Sequence, residues 1–422
     1  MTRRRWPAAR DCRHKDQLGL QLKGSLAPPP DFKEKRVYLS SVKAEEFSGE
    51  AAGRLVPIKG GCAFVPNLLP VDVPIGHSIL DATAKAERAL GLLTGYAESI
   101  QNDLLIQRPL MTREAVKSAR IEGTYVVIGD LLKHEAAGPP ADSRAALDNL
   151  EVIRYIEALN LGRAWLQERR PINPYFVRGL HQRLMSGTRG ADKRPGEYRP
   201  RQVLIGTEGD QPDDARFVPA PPMQIPELMD NLVDFMQSPD PWSPLVAAAV
   251  GHYQFETIHP FEDGNGRMGR LLIPLFLMSQ LVIDRPLVYL SDYFDRHRDR
   301  YFDSLKAVSC RGEWQAWIEF FLEAVRETAI DGVERVKRIT SLREDYRGRV
   351  LQNSRSQTPL AALDLILEKV IVSAADVQRF ARCSSPTARA ALDKLVELHV
   401  LSVVDGYPTR WIADELLSQG YE

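Results

Sequence analysis

Residues 259–270 read His259-Pro260-Phe261-Glu262-Asp263-Gly264-Asn265-Gly266-Arg267-Met268-Gly269-Arg270. Helical spacing of apolar residues runs through 245–256 just upstream, and Pro260 disfavours helix in the residue before it. The helical pattern resumes after Gly266, so the run is predicted to be a loop joining two helices. Gly264 and Gly266 flank Asn265 and allow backbone angles that side chains forbid, so successive amide N–H groups can converge at the start of the next helix. Such a nest binds an anion, most often phosphate. Arg267 and Arg270 lie three residues apart and share a helix face, where two guanidinium groups can clamp a polyphosphate. Asp263 is a hard oxygen ligand suited to Mg²⁺, and His259 is the group that can take a proton at neutral pH. Together these residues describe a hydroxyl that loses its proton to His259 and attacks phosphorus. The reaction class is nucleotidyl or phosphoryl transfer. Taken alone, the glycines also fit a tight helix–helix turn with a core histidine and solvated arginines.

Working outward, helical spacing recurs at 78–102, 111–123, 145–169, 174–185 and 226–236, so the chain is predicted to be mainly α. Residues 201–219 differ: Val203, Ile205, Phe217 and Val218 surround a loop of Gly206, Gly209, Asp210, Pro212, Asp213 and Asp214, the pattern of a β-hairpin. The 111–123 helix is expected to start near Thr112 as N-cap and to end at Gly123 as C-cap. Within it, Ser118 and Glu122 are four apart and share a face. Read without context, Glu122 is a solvated surface glutamate.

From residue 359 the spacing predicts helices over 360–370, 374–382 and 386–399, with Ser385 as N-cap before Pro386, then a wing over 400–411 broken at Asp405-Gly406. Arg379, Arg382 and Arg410 could meet phosphates, and the last helix carries Arg389 and Lys394. Asp393 and Glu397 offset the basic residues of the last helix, which favours a protein-docking or dimerising role over DNA.

The 422 residues carry 55 Lys plus Arg against 56 Asp plus Glu, so no global field directs the chain to nucleic acid or an anionic membrane. Apolar residues make up 44%, enough for a core, and the length argues for several domains. Cys12, Cys62, Cys310 and Cys383 lack metal-site or redox spacing and read as reduced thiols of a cytoplasmic protein. The apolar stretch 271–283 is too short for a membrane span and contains Pro274 and Gln280, so a core helix is expected there. The basic first 17 residues are followed by no apolar stretch, which supports a disordered leader over a secretory or twin-arginine signal. Punctuation at 26–30, 136–143 and 352–359 marks the expected joints.

The loop matches the signature of the Fic family, His-Pro-Phe-x-Asp/Glu-Gly-Asn-Gly-Arg-x-x-Arg, at every specified position. The resemblance extends over about residues 56–330 and includes Gly196-Glu197-Tyr198-Arg199. It implies an all-helical Fic core with a β-hairpin flap at 201–219 that docks a target segment. By that resemblance the protein is an adenylyltransferase using ATP and Mg²⁺ to modify Ser, Thr or Tyr hydroxyls. His259 would be general base and Asp263 metal ligand. Gly264, Asn265, Gly266, Arg267, Met268, Gly269 and Arg270 would line the nucleotide, with Tyr301 at the nucleoside. Ser118-Ala119-Arg120-Ile121-Glu122-Gly123 resembles the family's inhibitory motif, which implies that Glu122 pairs with Arg270 and diverts it from the γ-phosphate. The 355–422 segment resembles a winged helix-turn-helix. The implied organisation is a leader (1–55), an N-terminal helical region (56–140), the core (141–330), a helical linker (331–354) and the winged helix (355–422).

Other readings stay open at this point. The same residues serve hydrolytic removal of AMP, with Glu122 orienting water, or transfer of another nucleotide or a phosphoryl group. A regulator sensing nucleotide through an idle core would bind DNA or protein through 355–422, and a homodimer is compatible with either. A metallohydrolase built on His252, Glu256 and His259 is the remaining alternative, although the spacing is not His-Glu-x-x-His.

Overall fold

The computed structural model describes residues 44–59, 61–98, 100, 104–137, 144–205, 217–239, 242–404 and 409–421. The leader's first 43 residues, the 26–30 joint, most of the 136–143 joint, the flap tip at 206–216 and the wing break at Asp405-Gly406 lie outside the described residues.

The chain opens with a hairpin of β1 (Gly53–Ile58) and β2 (Gly61–Pro66), paired antiparallel. Then follow α1 (His77–Glu98), α2 (Leu104–Ile121), α3 (Ile128–Ala137), α4 (Arg144–Gln167), α5 (Pro174–Met185), α6 (Ile225–Gln237), α7 (Pro244–Ile258) and α8 (Asn265–Ser279). After them come α9 (Ser291–Arg296), α10 (Arg298–Arg311) and α11 (Trp314–Asn353). The 40 residues of α11 span about 60 Å as one unbroken helix, so the 331–354 segment continues the helix that begins at Trp314.

Helices α7 and α8 form the centre. Ser243 caps α7 by accepting from the Val246 amide, and Pro244 stands in the first turn, where its missing N–H costs nothing. Leu245 to Phe255 are buried without interruption, as are Leu271 to Met278 in α8, so both helices are apolar all round and must be enclosed. They are enclosed by α4, α5, α6, α10 and α11.

Three expectations need correction. Helix α2 starts at Leu104 and carries Pro109 in its interior, and Thr112 is buried inside it. The β1–β2 hairpin and α3 carry weak patterns and were not expected. At the C-terminus α12 (Thr358–Lys369), β3 (Ile371–Ser373), α13 (Ala374–Ala381), α14 (Ser385–Glu397), β4 (Ser402–Val404) and β5 (Arg410–Ile412) follow in order, with sheet order β3-β5-β4. There the cap of α14 is Ser384, whose hydroxyl accepts from the Thr387 amide, so Ser385 is the first helical residue. No described helix is long and apolar enough to cross a membrane.

Candidate active site

The site forms where α7 ends and α8 begins. His259 terminates α7 in a left-handed conformation at φ 50°, and Gly264 opens α8 at φ 77°. A side chain on Gly264 would meet Met185 Sδ, so glycine is required for space as well as for φ. The first-turn amides of α8 have no intrahelical acceptor and converge at the loop.

The loop is held by its neighbours. The Asn265 carboxamide accepts from the Phe261 amide (2.8 Å) and donates to the Phe261 carbonyl (2.9 Å), closing the turn. His181 stacks on Phe261 at 3.7 Å and accepts from the Gly196 amide at Nδ1. Its hydrogen therefore sits on Nε2, which donates to the Asp263 carbonyl at 2.9 Å. Burial takes this imidazole down to about 4. Arg199 is wholly buried and donates to the carbonyls of His259 (2.8 Å), Arg201 (2.9 Å), Ala220 (2.5 Å) and Ile258 (3.4 Å). Burial lowers its pKa to about 10. The strained His259 backbone is thus fixed by an arginine 60 residues away in sequence.

The His259 ring has a defined tautomer. Its Nδ1 lies 3.2 Å from the Glu256 carbonyl, which can only accept, so Nδ1 carries the hydrogen and Nε2 keeps its lone pair. Burial, then the charge of Arg199, lowers its pKa to about 4, which leaves a neutral base at pH 7.

The two arginines behave differently. Arg270 is 1% exposed and donates from Nε to Ser118 Oγ (2.9 Å), and from Nη2 to Ser118 O (3.0 Å) and Glu122 Oε1 (2.6 Å). The Glu122 side chain is 39% exposed and lies over Gly266, where any larger residue would overlap it. Desolvation pushes the Glu122 carboxyl up, but the charge and hydrogen bond of Arg270 outweigh it and hold it below the ordinary range. Arg267 is also buried, yet its Nε and Nη1 have no hydrogen-bond partner. Its charge is balanced by Glu151 at 3.4 Å and Asp263 at 3.7 Å. Glu151 is itself occupied by Arg189 Nε (2.8 Å) and Thr124 Oγ1 (2.9 Å).

Helix α2, which delivers Glu122, is firmly seated. Buried Glu114 accepts from the Ser291 amide and hydroxyl and from Tyr155, while Arg113, Lys117 and Arg120 pair with Asp292 and Asp295 of α9. Arg298 caps its last carbonyl, that of Ile121, and Gly123 turns the chain away at φ 87°.

The structure therefore brings together Ser118, Glu122, Gly123, His259, Asp263, Gly264, Gly266, Arg267, Gly269 and Arg270. Two expected contacts have their side chains engaged elsewhere: Asn265 closes the loop, and Met268 is buried in the core. Tyr301 lies in an aromatic cluster beneath the loop, stacked on Phe294 at 4.5 Å with its hydroxyl 2.8 Å from His252 Nε2 and within reach of Arg270. Among the described residues no group of three His, Cys, Asp or Glu is placed to hold a metal, so His252, Glu256 and His259 form no such site. Sequence patterns point to none of Arg199, His181 and Glu151 as members of this site, and to Glu256 only as part of the metal set with His252 and His259.

Residues 171–277 match the Fic/DOC family, and residues 80–164 match the Fic/DOC family N-terminal region. "Protein adenylyltransferase fic-1" of Caenorhabditis briggsae is 28% identical over 162 residues, 37% of this chain and 30% of that protein. "Protein adenylyltransferase Fic" of Nematostella vectensis is 25% identical over 231 residues, 52% of this chain and 50% of that protein. The chain thus spans half or less of the length of these two relatives. A crystal structure of a Fic family protein from Desulfovibrio desulfuricans is similar in fold, with TM-score 0.54 and 22% identity, covering 81% of this chain and 97% of that one.

Proposed function

We propose, from the match of residues 171–277 to the Fic/DOC family and of residues 80–164 to its N-terminal region, that this chain is a nucleotidyltransferase that moves AMP from ATP to a Ser, Thr or Tyr hydroxyl of a target protein or of itself, and that Glu122 holds it inactive. His259 Nε2 takes the proton of the attacking hydroxyl. The new oxygen–phosphorus bond forms at the α-phosphorus as the bond to the β-phosphate oxygen breaks, and pyrophosphate leaves with the electron pair. The α8 amides and Arg267 face the developing charge with donors already in position, so little reorganisation is needed during the reaction.

Asp263 fits the role of Mg²⁺ ligand. Its side chain is 48% exposed at the loop mouth, Oδ1 accepts from the Gly264 amide, and Gly190 leaves the space beside Oδ2 clear. One carboxylate suffices when substrate phosphates and water complete the shell. When bound, the ion would neutralise phosphate charge.

The observation that carries the reading is the occupancy of Arg270. A wholly buried cation at the start of α8 is engaged by Glu122 and Ser118, so a γ-phosphate has to displace Glu122 to use it. For target docking, Ile205 and Phe217 exchange both backbone hydrogen bonds, and the Phe64 amide donates to Val218. A flap propped in this way supports strand-like addition of a target segment.

The test compares α-labelled with γ-labelled ATP on the Glu122→Gly variant. Protein labelled from the α position only, with pyrophosphate released, is expected. Label from the γ position would replace AMP transfer with phosphoryl transfer.

A further inference from the structure

Glu256 lies in the site but has no part in the chemistry above. It stands three residues before His259 in the last turn of α7, and its backbone carbonyl fixes the His259 tautomer. Its side chain lies against α8 at Gly269, where a methyl group would overlap Oε1, just as one on Gly266 would overlap Oε1 of Glu122. Two carboxyls thus sit over two glycines one helical turn apart, with Arg270 adjacent to both positions.

They are treated unequally. Glu122 is hydrogen-bonded to Arg270, whereas Glu256 Oε1 is buried with no hydrogen-bond partner. Leaving a charged oxygen in that position is costly, which favours the neutral acid at Glu256 while Glu122 keeps the arginine. The charged and titratable groups facing it are Arg270 from α8, Glu122 from the end of α2 and Tyr301 from α10, with His252 and His259 on α7 itself. Both histidines are neutral, lowered by burial to about 3 and about 4. Burial pushes the Glu256 carboxyl up to about 7, and the charge of Glu122 adds to this against the pull of Arg270.

We propose that Glu256 is the second carboxyl partner of Arg270, a positioning residue that compensates the guanidinium when Glu122 withdraws and becomes neutral, by taking a proton from solvent, when a polyphosphate arrives. The inference rests on the reading of Arg270 as a nucleotide phosphate ligand. Withdrawal of Glu122 removes a like charge and favours ionised Glu256 beside an otherwise uncompensated arginine. An arriving phosphate restores a like charge, so binding and proton uptake are linked.

The experiment titrates α,β-methylene-ATP with Mg²⁺, an analogue that cannot be cleaved between its α and β phosphates, into E122G and into E122G/E256Q by calorimetry at pH 6 and pH 8. E122G is expected to bind several-fold tighter at pH 6, up to about tenfold, since one pKa unit corresponds to a factor of ten. E122G/E256Q is expected to lose most of that dependence and to bind at pH 8 nearly as E122G does at pH 6. Equal pH dependence in both variants overturns the proposal. Titration of E122G alone at pH 7 in two buffers of different ionisation enthalpy gives the net proton uptake, after subtraction of the analogue's own ionisation. Zero uptake overturns the proposal whether or not the double variant folds. If E122G binds no nucleotide at either pH, the reading of the site fails, and this proposal fails with it.

Discussion

Glu122→Ala separates the structural role of the Glu122–Arg270 pair from the regulatory one proposed for it. Removing one partner of a fully buried ion pair costs about 3–5 kcal/mol. Here the loss is smaller, because the Glu122 side chain is 39% exposed and water can enter its place, while Ser118 still accepts two hydrogen bonds from Arg270. A charge-assisted bond at such a site is worth about 1–2 kcal/mol. For a chain of this length that lowers the melting temperature by about 1–2 °C. The same substitution frees Arg270 for phosphate. Removing that competing bond, about 1–2 kcal/mol, tightens ATP binding by about five- to thirtyfold. Thermal melts with and without Mg-ATP read both effects: the variant melts lower than wild type alone, and ATP raises its melting temperature by more than it raises that of wild type. A lower melting temperature with an unchanged ATP-induced shift would refute the reasoning, because Glu122 would then stabilise the fold without competing with nucleotide.

Three further outcomes follow from the site. Arg199→Ala leaves four carbonyls without their shared donor, including that of His259; a loss of about 3 kcal/mol or more in urea unfolding is expected, with labelling abolished even when Glu122 is also removed. Glu151→Gln keeps an acceptor for Thr124 or Arg189 but removes the charge opposite Arg267, so the unliganded protein melts lower and pyrophosphate restores more stability than in wild type. The imidazoles of His181, His252 and His259 stay neutral in NMR titration down to pH 5.5. Their folded pKa values are depressed, so the unfolded chain takes up protons first. Stability is present above the ordinary histidine range and falls as pH drops from there toward about 4. Glu256, raised to about 7, works in the opposite direction between its ordinary range and that value and offsets part of the slope.

The candidate loop was legible in sequence because its residues are contiguous. His259, Asp263, the glycines and both arginines lie within one turn and the start of one helix, so residue type and spacing suffice to place them together. Glu122 was legible only through its motif, since nothing local in α2 points at a residue 148 positions away. The supporting residues were harder to read for a physical reason. Arg199 acts on backbone carbonyls, which any sequence supplies. His181 contributes a flat ring and two hydrogen bonds that depend on tertiary placement, and Glu151 reaches Arg267 from the middle of α4. Glu256 resembles any glutamate near a helix end until Gly269 is seen to make room for it. Among the elements, α7 and α8 were clear because they are uniformly apolar and bounded by strong stops. The start of α2 was misplaced because Thr112, an N-cap by residue type, is buried inside the helix.

The most direct test of the central claim is labelling from α-labelled ATP by wild type, Glu122→Gly and Glu122→Gly/His259→Ala in parallel. Weak labelling by wild type, strong labelling by the single variant and none by the double variant is the predicted result. Label that persists without His259, or fails to rise without Glu122, would contradict it.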